Sequence, residues 1–203
     1  MDGTPGRTHA MEIPATQPTL LQRLRDPADE DAWRTFESRY RELIVRFARS
    51  RGRQQADAED IAQLVLSSLF GSLRRFEYDR SRGRFRDYLF RCTRNAIARQ
   101  AGKRGPTPAG DELMDQVEAA DPGEVEAWDR EWEDHHYRLA MASIRRSFEP
   151  ASVAIFERCL RGDAIRDIAA DASMSEPAVH KVKQRIRDRM RELIAEQVRD
   201  EES

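Results

Sequence analysis

What this sequence is short of narrows its reading first. No apolar run approaches the roughly 20 residues that a membrane-crossing helix requires, and the first residues carry no apolar core of the secretory kind, so a cytoplasmic protein without membrane insertion is expected. Cysteine is limited to Cys92 and Cys159. They lie far apart, each between apolar neighbours in a helical pattern, which points to reduced thiols in two separate cores rather than a disulfide. With only 10 Gly and 9 Pro the chain suits a helical protein better than a strand-rich or fibrous one. No CxxC pair, phosphate-cradling glycine loop or activated nucleophile is present. Asp57, Glu59 and Asp60 have no histidine at ligand spacing, and the adjacent His135 and His136 point to different helix faces. No catalytic site, metal or cofactor is therefore expected.

What is present in quantity is charge. Charged residues make up 35% of the chain and the formal net is only -2, but that average hides segregation. Residues 19–104 hold 20 Lys and Arg against 12 Asp and Glu, a net of +8, whereas residues 105–134 hold 1 against 11, a net of -10. A basic domain followed by an acidic strap points to a polyanionic partner and a solvated connector.

Periodicity divides the chain into two all-α modules. Residues 1–18 contain three prolines and no apolar period and read as a mobile tail. Over 19–101 a helix bundle is expected: Trp33, Phe36, Tyr40, Ile44 and Phe47 make one stripe, Ile61, Val65, Leu69 and Leu73 a second, and Phe85, Leu89, Cys92 and Ala96 a third. Carboxylates near Asp57 complement the start of the middle helix. Residues 102–126 break every period and carry the acidic run, so they read as a linker. Helical spacing resumes at Trp128 and runs through Tyr137, Met141, Ile144 and Phe148, then Val153, Phe156 and Leu160, placing a second small domain at 127–198.

The sharpest local signal is AIRDIAADASMSEPAVHKVKQRIRDRMREL, residues 164–193. Ile165, Ile168, Ala169 and Ala172 give a short helix its apolar face. Ser173, Met174 and Ser175 make a turn, and Ser175 can cap a second helix with Pro177 early in it. That is a helix-turn-helix layout. Val179, Val182, Ile186, Met190 and Leu193 face inward, leaving His180, Lys181, Gln184 and Arg185 outward, where a recognition helix reaches base edges. Lys183, Arg187, Arg189 and Arg191 suit phosphates. The bland reading of these cations is an exposed face balanced by Asp188 and Glu192.

Taken together, DAEDIAQLVLSSLF (57–70), FEYDRSRGRFRDYLFRCTRNAIARQ (76–100) and the terminal helix-turn-helix resemble extracytoplasmic-function RNA polymerase sigma factors of the sigma-70 family, with regions two and four only. The resemblance implies an adaptor that binds core polymerase, melts promoter DNA and starts transcription. It implies docking of Asp57, Glu59, Asp60 and Gln63 on the beta-prime clamp helices, contact with the beta flap, and an anti-sigma protein as a candidate regulator. It places Tyr88, Arg91, Arg94, Asn95 and Arg99 at the minus-ten DNA, with Asn95 at a pocket for a flipped base, and the stretch Asp79 to Arg84 at the rim of that pocket. Phe85 and Tyr88 are candidate stacking residues, although spacing favours the core for Phe85. His180, Lys181, Gln184 and Arg185 fall at the minus-thirty-five element. Leu64 departs from the pattern, since the family usually carries an acid there. The rival reading is a dimeric helix-turn-helix regulator that never touches polymerase, although no heptad seam for a dimer is evident.

Overall fold

Side-chain caps set the helix boundaries of this chain. In the computed structural model the described residues are 19–26, 28–73, 84–102 and 120–202. The expected 1–18 tail, residues 103–119 of the expected linker and most of the Asp79 to Arg84 stretch lie outside them. Helix α1 (Leu20–Arg23) opens on a capping box, with Thr19 Oγ1 accepting from the Gln22 N–H at 3.4 Å and Gln22 Oε1 accepting from the Thr19 N–H at 3.1 Å. Helix α2 (Glu30–Ser50) is capped by Asp29, whose carboxylate accepts from the Ala32 N–H at 2.8 Å and from two nitrogens of Arg23 at 2.8 and 3.0 Å. One carboxylate thus starts a helix and ties it to the one before.

Helices α3 (Gln55–Leu73) and α4 (Phe85–Gly102) complete a bundle with α2. All four residues of the α4 stripe are buried, as are Phe36, Tyr40, Ile44 and Phe47 of α2 and Ile61, Val65 and Leu69 of α3, with Trp33 half-buried beside them. Leu64 also packs against this core, which accounts for an apolar residue at that position.

Helix α5 (Pro122–Ser147) starts inside the stretch that composition assigns to the linker, with the Asp121 carboxylate accepting from the Gly123 N–H at 2.9 Å and Pro122 in its first turn. At 26 residues it is about 39 Å long. Its first half inserts Trp128 and Trp132 into the bundle core, with Trp128 only 1% exposed and edge-on to Phe47 at 5.0 Å. Its second half supplies Ala140, Met141 and Ile144 to another core, shared with Val153 and Phe156 of α6 (Pro150–Arg161) and with Ile186, Met190 and Leu193 of α8 (Glu176–Glu202). Helix α6 ends at Gly162, whose φ of +89° is the left-handed geometry that glycine adopts without a Cβ penalty. Helix α7 (Ile165–Asp171) seats Ile168 and Ala169 against Ile155 and Val179, and Val182 bridges the two small cores. Among the described residues there is no strand, so the fold is all-α as expected, and no helix is long and apolar enough to cross a membrane.

Two apolar residues of the stripes expected in the second module fall outside the cores. Tyr137 is 38% exposed and Leu160 is 52% exposed. On α5 the buried face runs Trp128, Trp132, His135, His136, at intervals of four, three and one, and that register rotates Tyr137 outward. Adjacent histidines expected on different faces are thus both buried, with ring centroids 5.6 Å apart. Burial is the first cause of the His135 pKa falling to about 3, with the positive charges of His136, Arg138 and Arg39 adding to it. Both cysteines are free, and burial pushes the Cys92 thiol up to about 12.

Two outcomes follow. Trp128→Ala removes the largest fully buried side chain and is expected to destabilise the chain by about 3–5 kcal/mol in urea unfolding, whereas Val125→Ala on the exposed side of the same helix should stay within about 0.5 kcal/mol. In an NMR titration the His135 ring should remain neutral down to about pH 4. A His135 midpoint above pH 6 would overturn the burial argument.

Candidate functional site

Three polar faces stand on this frame. The first is the outer side of α3. Asp57, in its first turn, is half-buried and accepts from Gln100 Nε2 at 3.1 Å, a bond that fastens the start of α3 to the last turns of α4. Asp60 is exposed. Glu59 and Gln63, one turn apart, are joined through Arg41 of α2: its guanidinium donates to Gln63 Oε1 at 2.8 Å, to Glu37 at 2.6 Å and to Glu59 at 3.5 Å. The four expected docking residues therefore split into a structural clamp at Asp57 and a surface of Glu59, Asp60 and Gln63. Arg41 and Glu37 belong to that surface and were missed from sequence, because their partners are fixed by helix packing and no local spacing reports it.

Beside this surface runs a groove of about 500 Å³, lined by Trp33, Glu37, Gln63, Leu66, Ser67 and Phe70 and flanked by Asp26, Asp29 and Glu30. Phe70 is exposed at its edge and meets Trp33 edge-on at 4.7 Å. Aromatic walls under a mostly acidic rim suit a partner that brings apolar contact and positive charge.

The second face is α4. Arg91, Arg94, Asn95 and Arg99 recur at helical spacing along its outer side, all half-buried at their stems. Arg91 Nε donates to the Asp87 carbonyl at 3.3 Å. Tyr88 is 6% exposed and is part of the bundle core, together with Phe85. Stacking on a base would require that ring to leave the core.

The third face is the first half of α8. Ser175 Oγ accepts from the Ala178 N–H at 3.4 Å, as its capping role requires, and Ser173, at φ 51°, makes the left-handed turn after α7. His180, Lys181, Lys183, Gln184 and Arg187 line an open depression of about 330 Å³. Arg187 bonds the Gln184 side chain, and Gln184 in turn donates to Asp188 at 2.7 Å. The Arg185 guanidinium lies 5.2 Å above the ring of Phe148, a cation–π contact that braces α8 against the connection between α5 and α6. The structure thus gathers three of the four expected base-facing residues, brings Lys183 and Arg187 in with them, and turns Arg185 toward Phe148. The spacing 180, 183, 184, 187 carries that grouping, whereas nothing in it reveals the aromatic partner of Arg185.

Among the described residues no group of three or more His, Cys, Asp or Glu side chains is arranged to hold a metal ion. Comparison with protein families gives one match: residues 38–107, spanning most of α2, all of α3 and α4 and the residues just beyond, match Sigma-70 region 2. The chain has no match among curated proteins and none among solved structures.

Arg41 is half-exposed, so its ion pairs are screened by water and contribute little to folding. Arg41→Ala should release the Glu59 and Gln63 side chains yet lower unfolding stability by less than about 1 kcal/mol, with hydrogen–deuterium exchange showing unchanged protection of the α2 and α3 backbone. A loss above about 2 kcal/mol would make Arg41 a structural strut instead.

Proposed function

We propose that this chain is a sigma factor of the extracytoplasmic-function type: it binds core RNA polymerase, captures and melts promoter DNA, and directs transcription initiation. One observation carries the reading. The Sigma-70 region 2 match falls on the helices whose outer sides separate into an acid-and-amide face on α3 and an arginine face on α4. A protein that must hold a basic protein surface and a polyanion at once needs that division.

In this reading Glu59, Asp60 and Gln63, with the adjoining groove, meet the beta-prime clamp helices, and Asp57 keeps α3 in register with α4. Opening duplex DNA costs unstacking energy. Arg91, Arg94 and Arg99 recover part of it from phosphates, and Asn95 offers a donor and an acceptor to the edge of an extruded base. Because Tyr88 lies in the core, the stacking surface for that base comes from elsewhere or from a displaced Tyr88 ring. Helices α7 and α8 act as a helix-turn-helix of region four type on the minus-thirty-five element, with His180, Lys181 and Gln184 toward base edges and Lys183 and Arg187 toward phosphates. Arg185 sets the angle of α8 through Phe148. The beta flap and an anti-sigma protein are the further partners that this reading implies.

Run-off transcription with core polymerase, the full chain and a promoter library tests it: discrete start sites are expected, and no association with polymerase at low salt sinks the reading. Asn95→Ala should reduce open-complex formation about tenfold or more with little change in the closed complex. Lys181→Ala should flatten preference at one upstream base pair by about 5- to 150-fold if that lysine bonds a base, or weaken all sequences alike if it holds a phosphate.

A further inference from the structure

Glu201, near the end of α8, is buried and accepts from the Tyr40 hydroxyl at 2.7 Å, so that end of the second module is taken up within the chain. The face that α5 and α6 turn to solvent is not. Among the described residues the large apolar side chains left exposed are Phe70, Val125, Tyr137, Leu160 and Met174. Two of them, Tyr137 and Leu160, line a single hollow of about 410 Å³. Met141 also lines it and is only 3% exposed, so apolar surface runs from the hollow into the core beneath. One exposed apolar residue is ordinary on a protein surface, whereas two in one hollow ringed by charge mark a surface that something covers.

The ring of charge is mostly positive. Arg138, Arg145 and Arg161 line the hollow against one carboxylate, Glu157, which already accepts from Arg145 at 2.7 and 3.1 Å. Arg161 is exposed and has no ion pair. Toward the start of the same α5 the sign reverses, with Glu126, Glu133 and Asp134 all exposed and only Arg130 between them. A foreign acidic helix laid in the hollow would satisfy the arginines and leave these carboxylates unused. A surface that is acidic at one end, apolar in the middle and basic at the other is complementary to itself when turned end for end.

Helical geometry sets the register of such a contact. Asp134, Tyr137, Met141 and Arg145 follow one another at intervals of three and four and so share one side of α5. Asp134 and Arg145 are separated by about 16 Å along the axis. Two copies of α5 laid antiparallel about a two-fold axis between residues 139 and 140 bring Asp134 of each opposite Arg145 of the other. Tyr137 of each then falls beside Met141 and Leu160 of the other, and Arg130 falls opposite Glu149, the exposed residue that starts α6.

We propose that this face of α5 and α6 binds a second copy of the chain, with the Tyr137 side chain of each copy seated in the hollow of the other and the Asp134 and Arg145 side chains paired across the axis. Such a contact is isologous and closes on itself, so it stops at two copies. It is one patch and not a continuous seam, which is why no heptad repeat marks it in the sequence. A patch made by one helix and the edge of another belongs with the small interfaces that associate weakly, so pairs form at high chain concentration and separate on dilution. The residues of the α8 depression take no part in it. While the copies are paired, the hollow is closed to every other protein, and any partner that uses it competes with the second copy by mass action. The pairing rests on these exposed groups alone and not on the sigma-factor reading.

Light scattering after size-exclusion chromatography of the full chain, loaded from about 1 to 200 µM, tests it. The apparent mass should rise with load toward twice that of one chain. Tyr137→Ser, Asp134→Arg and Arg145→Asp should each move the midpoint to at least about tenfold higher concentration, with circular dichroism showing the helices retained, whereas Val125→Ser should leave it in place. Asp134→Arg and Arg145→Asp combined in one chain again set unlike charges opposite each other, and should bring the midpoint back to within about threefold of the parent. A parent that stays a single chain at every load overturns the pairing. Val125→Ser acting as strongly as Tyr137→Ser overturns the face, and a double reversal no better than the single ones overturns the register. If deuterium exchange shows residues 156–162 protected only after core polymerase is added, the hollow belongs to a foreign partner and the pairing falls, while the sigma-factor reading stands or falls on run-off transcription.

Discussion

The arrangement of this molecule depends on one apolar insertion: Trp128 and Trp132 of α5 packing into the bundle of α1 to α4. Burial of two large aromatic rings is a strong and undirected attraction, of the order of several kcal/mol for each. Because the same helix continues into the core built with α6 and α8, that attraction also sets where the second module stands. The acidic side chains on the exposed side of α5 then fall opposite cations of the bundle, with Glu124 reaching Arg51 at 3.0 Å and Asp129 reaching Arg86. Charge selects among orientations that the tryptophans already permit. It does not supply the driving force, since most of these pairs are partly exposed.

Legibility of the fold tracked the strength of the periodic signal. The stripes of α2, α3 and α4 could be read residue by residue because a helix buried on one side must repeat its apolar residues every three or four positions. The capping serine of α8 was legible for a comparable reason, as few residue types can satisfy an exposed N–H at a helix start. The reading weakened on α5, where two buried residues are histidines. A histidine scores as polar in any periodicity, so the true register, which exposes Tyr137, is invisible until the surrounding rings are placed. The composition that marked residues 102–126 as linker was equally blind to α5 starting at Pro122, since proline and aspartate open helices as well as they break them.

The candidate site was legible to the extent that it is local. His180, Lys181 and Gln184 come from helical spacing, whereas Arg91, Arg94, Asn95 and Arg99 were singled out by the family resemblance, and spacing adds only that they share one helix face. What escaped was every contact between helices distant in sequence: Arg41 with Glu59 and Gln63, Arg185 with Phe148, and Tyr40 with Glu201. Side chains of this kind leave no periodic trace, because a long guanidinium or a phenol reaches its partner from many backbone positions.

The shared guanidinium of Arg41 has a consequence for any cationic protein that settles on α3. Glu37, Glu59 and Gln63 already accept from Arg41 within the chain, so at those acceptors an incoming arginine or lysine displaces a resident cation instead of neutralising a bare anion. Such an exchange releases few counterions and conserves the number of ion pairs. Association at this face is then comparatively indifferent to ionic strength, in contrast to a polyphosphate meeting the arginines of α4. One small protein would carry two electrostatic interfaces of unequal sensitivity to salt, and a change in ionic strength would reweight one with little effect on the other.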